Sequence, residues 1–337
     1  MGTRTVIAGA SGYAGGELVR LVGAHPDLDL VGVTAHGQAG QPLGRIHPHL
    51  RRYGDLVLGE TNAATLADAD LVFLALPHGT SAGLAAGIGS AVAIVDLGAD
   101  HRLRDAQTYT RTYGGPHPGA WTYGLPELPG LRAEIATSRR VANTGCYAVA
   151  VITALAPLIA AGLAEPQDVV VVAASGTSGA GTSVRRGLLA TEVMGDLSAY
   201  KVGAHQHVAE ILQATGAETL SMTPILAPIP RGILATVTTR VTRPVTSDDL
   251  RTVLTEAYAE EPFVCLLPEN EWPHTAATLG SNSVHLQATV DASSGRAVVV
   301  SAIDNLGKGA AGQAVQNANL MLGFPETTGL SIDGTAP

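Results

Sequence analysis

Residues 3–24 hold a short apolar run, Thr3 to Ala8, then Gly9-Ala10-Ser11-Gly12-Tyr13-Ala14-Gly15-Gly16, then a helix-forming segment from Glu17 to about Ala24. A strand that runs through spaced glycines into a helix constrains the fold more than any other feature of the chain. The spacing G-x-x-G-x-x-G is a variant of the better-known G-x-G-x-x-G. Glycines permit the tight turn and let the backbone approach a pyrophosphate, whose charge meets the helix N-terminus. In this strand-turn-helix context the turn predicts a dinucleotide site with Gly9, Ser11, Gly12, Tyr13 and Ala14 at the cofactor.

The next segments continue the pattern. Leu28 to Thr34, Leu71 to Leu76 and Ala91 to Leu97 are apolar strands, and Val141 and Ala142 end the last strand of this half. Alternation of strands and helices predicts an α/β, doubly wound parallel sheet of Rossmann type. The third strand stops at Pro77, on a loop at the cofactor edge. NAD binders usually end the second strand in an acid. Here that end reads Val33-Thr34-Ala35-His36, and Asp27 and Asp29 precede the strand. Thr34 and His36 are placed to face a 2′-phosphate, so NADP(H) is the expected cofactor.

The second half has another rhythm. Val169 to Ala174, Leu234 to Thr242, Ser283 to Val290 and Ala297 to Ile303 read as strands of a mixed, largely antiparallel sheet. Ser247 to Glu260 reads as an amphipathic helix capped by Ser247. Lys308 to Leu322 reads as a final helix that returns to the first domain. The expected domains are 1–147 completed by a C-terminal helix 308–323, then 148–307, then a poorly ordered tail 325–337. A length of 337 residues suits two cores better than one.

Charge and cysteine content narrow the function classes. A net charge of −9 offers no basic stripe for nucleic acid. The run Val149 to Ala161 is shorter than the roughly 20 residues a membrane span needs. Met1 to Leu21 lacks the charged leader and apolar core of a secretory signal. Two cysteines, Cys146 and Cys265, make neither a disulfide framework nor a metal cluster, so a cytoplasmic setting is expected.

Cys146 follows Asn143-Thr144-Gly145 and opens the apolar run Ala148 to Ala161. A thiol in the first turn of a helix meets unsatisfied N–H groups and the positive end of the macrodipole, which favour the nucleophilic thiolate. Cys265, within Phe263-Val264-Cys265-Leu266-Leu267, reads as a core residue. His205-Gln206-His207 supplies a candidate acid/base, and Glu210 is spaced to orient His207 if a helix starts there. Too few further ligands lie nearby for a metal, and none is expected. Ser175-Gly176-Thr177-Ser178-Gly179-Ala180-Gly181 is a second glycine-rich loop, suited to an anionic group. It lacks the Gly-Lys-Ser/Thr ending of a nucleotide-hydrolysing loop. Arg102 and Arg231 are candidate anion partners.

Taken together these stretches resemble the N-acetyl-γ-glutamyl-phosphate reductases. The resemblance runs in order through the glycine turn, Asp96-Leu97-Gly98-Ala99-Asp100-His101-Arg102-Leu103, Tyr123-Gly124-Leu125-Pro126-Glu127 and Asn143-Thr144-Gly145-Cys146-Tyr147. It continues through the Ser175 loop, His205-Gln206-His207 and Asp304-Asn305-Leu306-Gly307-Lys308-Gly309-Ala310-Ala311-Gly312-Gln313-Ala314. It implies a Rossmann domain followed by an α+β domain like that of glyceraldehyde-3-phosphate dehydrogenase. It implies catalysis by Cys146 with His205 or His207, and a homodimer or homotetramer acting on a small acyl phosphate. It places Ser175, Gly176 and Asn305 near the nicotinamide, and Arg102, Asn143 and Gly179 near the substrate. Gln206 and Thr182 stand where the family often has arginine, so Arg102, Arg185 or Lys201 must supply positive charge. Two rival readings are an aspartate-semialdehyde dehydrogenase and a non-catalytic NADP-sensing regulator.

Overall fold

A computed structural model describes residues 2–336; Met1 and Pro337, the last residue of the expected tail, lie outside the described residues. The chain forms two units, Met1–Thr144 with Ala310–Leu330, and Gly145–Gly309 with Ser331–Pro337.

The first unit is built on β1 (Thr3–Ala8), β2 (Leu28–Thr34), β3 (Leu71–Leu74), β4 (Ala93–Asp96), β5 (Thr122–Gly124) and β6 (Arg140–Asn143). All pairings are parallel, in the order β2-β1-β3-β4-β6-β5. Every residue of β3 and β4 is buried, because helices cover both faces of such a sheet. The first helix, Tyr13–Ala24, starts four residues before the expected Glu17. The glycine-rich stretch is its first turn. The helix Gly312–Leu322 also belongs to this unit, and buried amides do its work. Asn317 Nδ2 donates to the Gly124 carbonyl and to Asn143 Oδ1, each at 3.0 Å.

The second unit carries β7 (Val169–Ser175), β8 (Ser198–Ala199), β9 (Leu220–Leu226), β10 (Ile233–Arg240), β11 (Val264–Leu266), β12 (Val284–Asp291) and β13 (Arg296–Ile303). Their order is β11-β12-β13-β10-β7-β9-β8. The pairs β7–β9 and β11–β12 are parallel and the rest antiparallel. Residues of β10 alternate between buried and half-buried, as one covered face requires. The helix Cys146–Ala160 is buried throughout residues 147–155 and contains Pro157. Proline lacks the N–H that would bond the carbonyl four residues back. That carbonyl, of Thr153, instead accepts the Tyr258 hydroxyl at 2.7 Å.

Three expectations need correction. Thr246, not Ser247, caps the helix Ser247–Ala257: Thr246 Oγ1 accepts the Asp249 N–H and Asp249 Oδ2 accepts the Thr246 N–H. The Ser247 hydroxyl turns to β12, where it accepts the Val290 N–H. Cys265 is exposed, because β11 is an edge strand. The tail is tied down as far as Thr335. Ser331 O accepts the Asn282 N–H at 2.8 Å, and the Thr335 N–H donates to Leu279 O at 2.7 Å. Extended polar residues have no apolar periodicity, so this docking left no mark in the sequence.

Candidate active site

The glycine turn of the first unit has the shape a dinucleotide needs. Gly9 has φ +82°, and a Cβ there would lie 2.2 Å from the Ala75 carbonyl oxygen. A Cβ on Gly15 would lie 2.2 Å from Gly9 O. Side chains are excluded at both places because the turn packs directly on the backbone at Ala75 and on its own backbone at Gly9 and Ala10. Gly12 is the N-cap and takes no side-chain cap bond, which leaves the first-turn amides for an anion. Ser11, Gly12 and Ala14 are partly accessible and Tyr13 is exposed.

Thr34 ends β2, and its carbonyl accepts the N–H groups of Gly9 and Ala10, each at 2.9 Å. Its hydroxyl is 2.8 Å from Thr61 Oγ1. His36 and Pro77 are exposed on the loops after β2 and β3. The loop after β3 is shaped by Asp100, which belongs to the motif at residues 96–103 and whose residue type alone suggested no role. Asp100, buried, accepts the Gly79 N–H at 2.6 Å and the Ala82 N–H at 3.0 Å, and pairs with His78 Nδ1 at 2.8 Å. Its signal was the Asp-Leu-Gly-Ala-Asp run at the end of β4.

Arg102 and Asn143, expected at the substrate, are turned inward within this unit. Arg102 is 6% exposed, and it donates to Asn143 O at 2.7 Å and Leu97 O at 2.8 Å. Asn143 donates to Ala310 O and accepts from Asn317. Backbone carbonyls at the ends of β4 and β6 needed a buried donor, and Arg102 supplies both; Asn143 serves the Ala310 carbonyl instead.

In the second unit Cys146 is the first residue of its helix, half-buried, with Gly145 as N-cap and no side-chain cap. Glu210 is fully buried, and its Oε1 accepts the Gly145 N–H at 2.8 Å. A buried side-chain oxygen thus fixes the turn that presents the thiol. The helix His207–Thr215 begins as the sequence reading required for Glu210 to act near His207. Gly309 lies against the cysteine: a Cβ on it would be 2.8 Å from Cys146 Cβ.

His205 and His207 are both buried, with ring centroids 4.7 Å apart. Each packs edgewise on Tyr147, at 5.2 and 6.1 Å. The His207 N–H donates to His205 Nδ1 at 3.2 Å, so a neutral His205 carries its proton on Nε2. Burial, and secondarily the Lys201 charge, push the His205 imidazole down to about 4. Tyr147 and Tyr200 hydroxyls are 2.8 Å apart, and burial raises both phenols above their ordinary range. Tyr200 was not foreseen: Lys201 and His205 nearby were candidates, but a tyrosine outside any motif carries no signal of its own. Lys201 Nζ donates to Gln206 Oε1 at 2.8 Å.

Ser175, Gly176, Gly179 and Asn305 come together in this unit. Asn305 Oδ1 accepts the Gly232 N–H at 2.7 Å, and its Nδ2 donates to Ser178 Oγ at 2.9 Å. Gly176 N–H donates to Gly232 O, while Gly179 is exposed beside Ser175 and Asn305. Arg231, a candidate anion partner, is paired internally with Asp304. No helix of the described residues is long and apolar enough to cross a membrane.

Comparisons with known proteins agree with both halves. Residues 4–138 match the family "Semialdehyde dehydrogenase, NAD binding domain", and residues 146–305 match "Semialdehyde dehydrogenase, dimerisation domain". The chain is 66% identical over 337 residues to an N-acetyl-gamma-glutamyl-phosphate reductase of Salinispora tropica, covering 100% of both. It is 53% identical to the protein of that name from Streptomyces coelicolor, again over 100% of both. Among solved structures, aspartate semialdehyde dehydrogenase II of Vibrio cholerae superposes with a TM-score of 0.70 at 15% identity, covering 96% of this chain and 98% of that one. The Candida albicans aspartate semialdehyde dehydrogenase with NADP gives 0.65 at 14% identity, covering 96% and 99%. At such identities the structural likeness concerns the fold alone.

Proposed function

The chain belongs to the N-acetyl-gamma-glutamyl-phosphate reductase branch of the semialdehyde dehydrogenases, and from that premise we propose the chemistry its residues perform. It reduces N-acetyl-L-glutamyl 5-phosphate to the 5-semialdehyde with release of phosphate, a step of arginine biosynthesis. The observation that carries the residue assignment is Cys146 at a helix start whose preceding amide is held by Glu210, in one unit with two buried imidazoles.

The Cys146 thiolate attacks the acyl carbon, the carbon–oxygen bond to phosphate breaks, and a thioester forms. Backbone N–H groups at Cys146, at the helix start, are assigned to hold the developing oxyanion. The nicotinamide dinucleotide, when bound at the glycine turn, supplies the hydride. His207 gives the proton that accompanies reduction, and the hemithioacetal on Cys146 then releases the semialdehyde and restores the thiol. His207 is preferred over His205 because burial keeps His205 neutral at neutral pH. Lys201, held by Gln206, is the cation assigned to the substrate phosphate. Arg102 is set aside because its donors go to backbone carbonyls.

The finer cofactor choice is NADP(H), supported by a β2 that ends in Thr34 with no acid after it. Gly9, Ser11, Gly12, Tyr13, Ala14, Thr34, His36 and Pro77 of the first unit are assigned to it. A homo-oligomer in the cytoplasm completes the proposal, and sedimentation would measure its size. Cys146→Ser should bind NADPH normally and lose nearly all turnover; full activity in that variant would sink the covalent route. Oxidation of N-acetylglutamate semialdehyde and aspartate semialdehyde, assayed side by side, tests the substrate.

A further inference from the structure

Asp304 is fully buried, and its two carboxylate oxygens receive five hydrogen bonds. Oδ1 accepts the N–H groups of Leu306 and Gly307, at 2.9 and 3.2 Å, and Arg231 Nε at 3.1 Å. Oδ2 accepts the Gly280 N–H at 2.6 Å and Arg231 Nη2 at 2.8 Å. A bidentate guanidinium fixes the plane of the carboxylate as well as its place. The carboxylate in turn dictates the path of residues 304–307.

The backbone of the same residue continues the link. Asp304 O accepts the Gly309 N–H at 2.9 Å, within the π-helical turn Gly307–Ala311. Such turns are costly and concentrate at functional places. Gly309 then forms the surface under the nucleophile. Its absent Cβ would lie 2.8 Å from Cys146 Cβ and 3.3 Å from Cys146 Cα. Arg231, Asp304, Gly309 and Cys146 are therefore one continuous series of contacts inside the second unit.

We propose that Asp304, oriented by Arg231, is the positioning residue for the Cys146 thiol. It touches no reacting atom. It sets the height of the Gly309 backbone, and Gly309 sets where the sulfur can point. A misplacement of about 1 Å at a reacting centre costs on the order of a hundredfold in rate. The interaction rests on Cys146 being the nucleophile, as proposed above.

The test uses the full chain carrying Cys265→Ala, because exposed Cys265 would otherwise react with the thiol probe. Asp304→Asn keeps the side-chain shape and the oxygen facing Leu306 and Gly307 but loses the ion pair. Per folded molecule its kcat should fall roughly ten- to a hundredfold, with KM for the acyl phosphate within about threefold. The pH profile of iodoacetamide alkylation at Cys146 should shift as well. Arg231→Lys, which keeps the charge and loses the bidentate geometry, should move the same readouts in the same direction by less. A folded Asp304→Asn enzyme with wild-type kcat and alkylation profile overturns the proposal. If neither variant folds, hydrogen exchange in the unaltered chain decides: the Gly307 and Gly309 amides must be protected like those of β13, and fast exchange there overturns it. Cys146→Ser run in parallel separates the two claims: an inactive serine variant beside an unimpaired Asp304→Asn enzyme overturns the positioning claim alone, and an active serine variant overturns both.

Discussion

Glu210 Oε1 accepts the Gly145 N–H at 2.8 Å, so the helix that starts at His207 is joined to the turn that presents Cys146. One buried hydrogen bond therefore ties the turn before the nucleophile to the helix that begins at His207. Glu210→Ala would leave a buried N–H without its acceptor and cost about 1–3 kcal/mol of stability. Turnover should fall with it, and Glu210→Gln, which keeps an oxygen acceptor, should lose less of both. Denaturant unfolding and kcat on the three proteins check the order; equal activity in all three would refute it.

His205 makes acid stability measurable. Its folded pKa of about 4 lies below its ordinary 6.5. The unfolded chain therefore takes up the proton first as pH falls. Stability from this group is complete above pH 6.5 and drains away toward pH 4, by about 3 kcal/mol at most. Unfolding midpoints across that range should decline in the wild type and decline less in His205→Gln. Parallel curves for the two proteins would show that His205 is not the cause.

The Tyr258 hydroxyl replaces the donor that Pro157 lacks at Thr153 O. Tyr258→Phe should cost about 1–3 kcal/mol. In a Pro157→Ala background the helix recovers its own N–H, and the same change should cost about 1 kcal/mol less. A double-mutant cycle by urea unfolding reads the coupling, and a coupling near zero would contradict it.

Gly15→Ala places a methyl group 2.2 Å from where Gly9 O now sits, so the turn must shift. The first unit should lose about 1–3 kcal/mol, and NADPH binding followed by nicotinamide fluorescence should weaken at least roughly tenfold. Gly40→Ala is a poor control because of its positive φ. Gly83→Ala, in open space, should leave binding unchanged.

Much of the frame was legible along the chain. The first three strands, the glycine turn, the helix at Cys146 and the strands β7, β10, β12 and β13 follow from local apolar period and turn residues. Strands β5, β8, β9 and β11 were not legible. Three of them are only two or three residues long, and β9 carries Pro224, which its pairing with β7 and β8 tolerates in this register.

Residue types and spacing by themselves determined that this chain would have a dinucleotide turn, a thiol at a helix start and an imidazole pair, because each depends on a few contiguous positions. Tertiary structure alone decided which polar side chains are spent internally. Arg102 went to Asn143 O, Arg231 to Asp304 and Glu210 to Gly145, across separations of 41, 73 and 65 residues. Buried donors and acceptors must find partners, and which partner is near is settled only when the chain has folded.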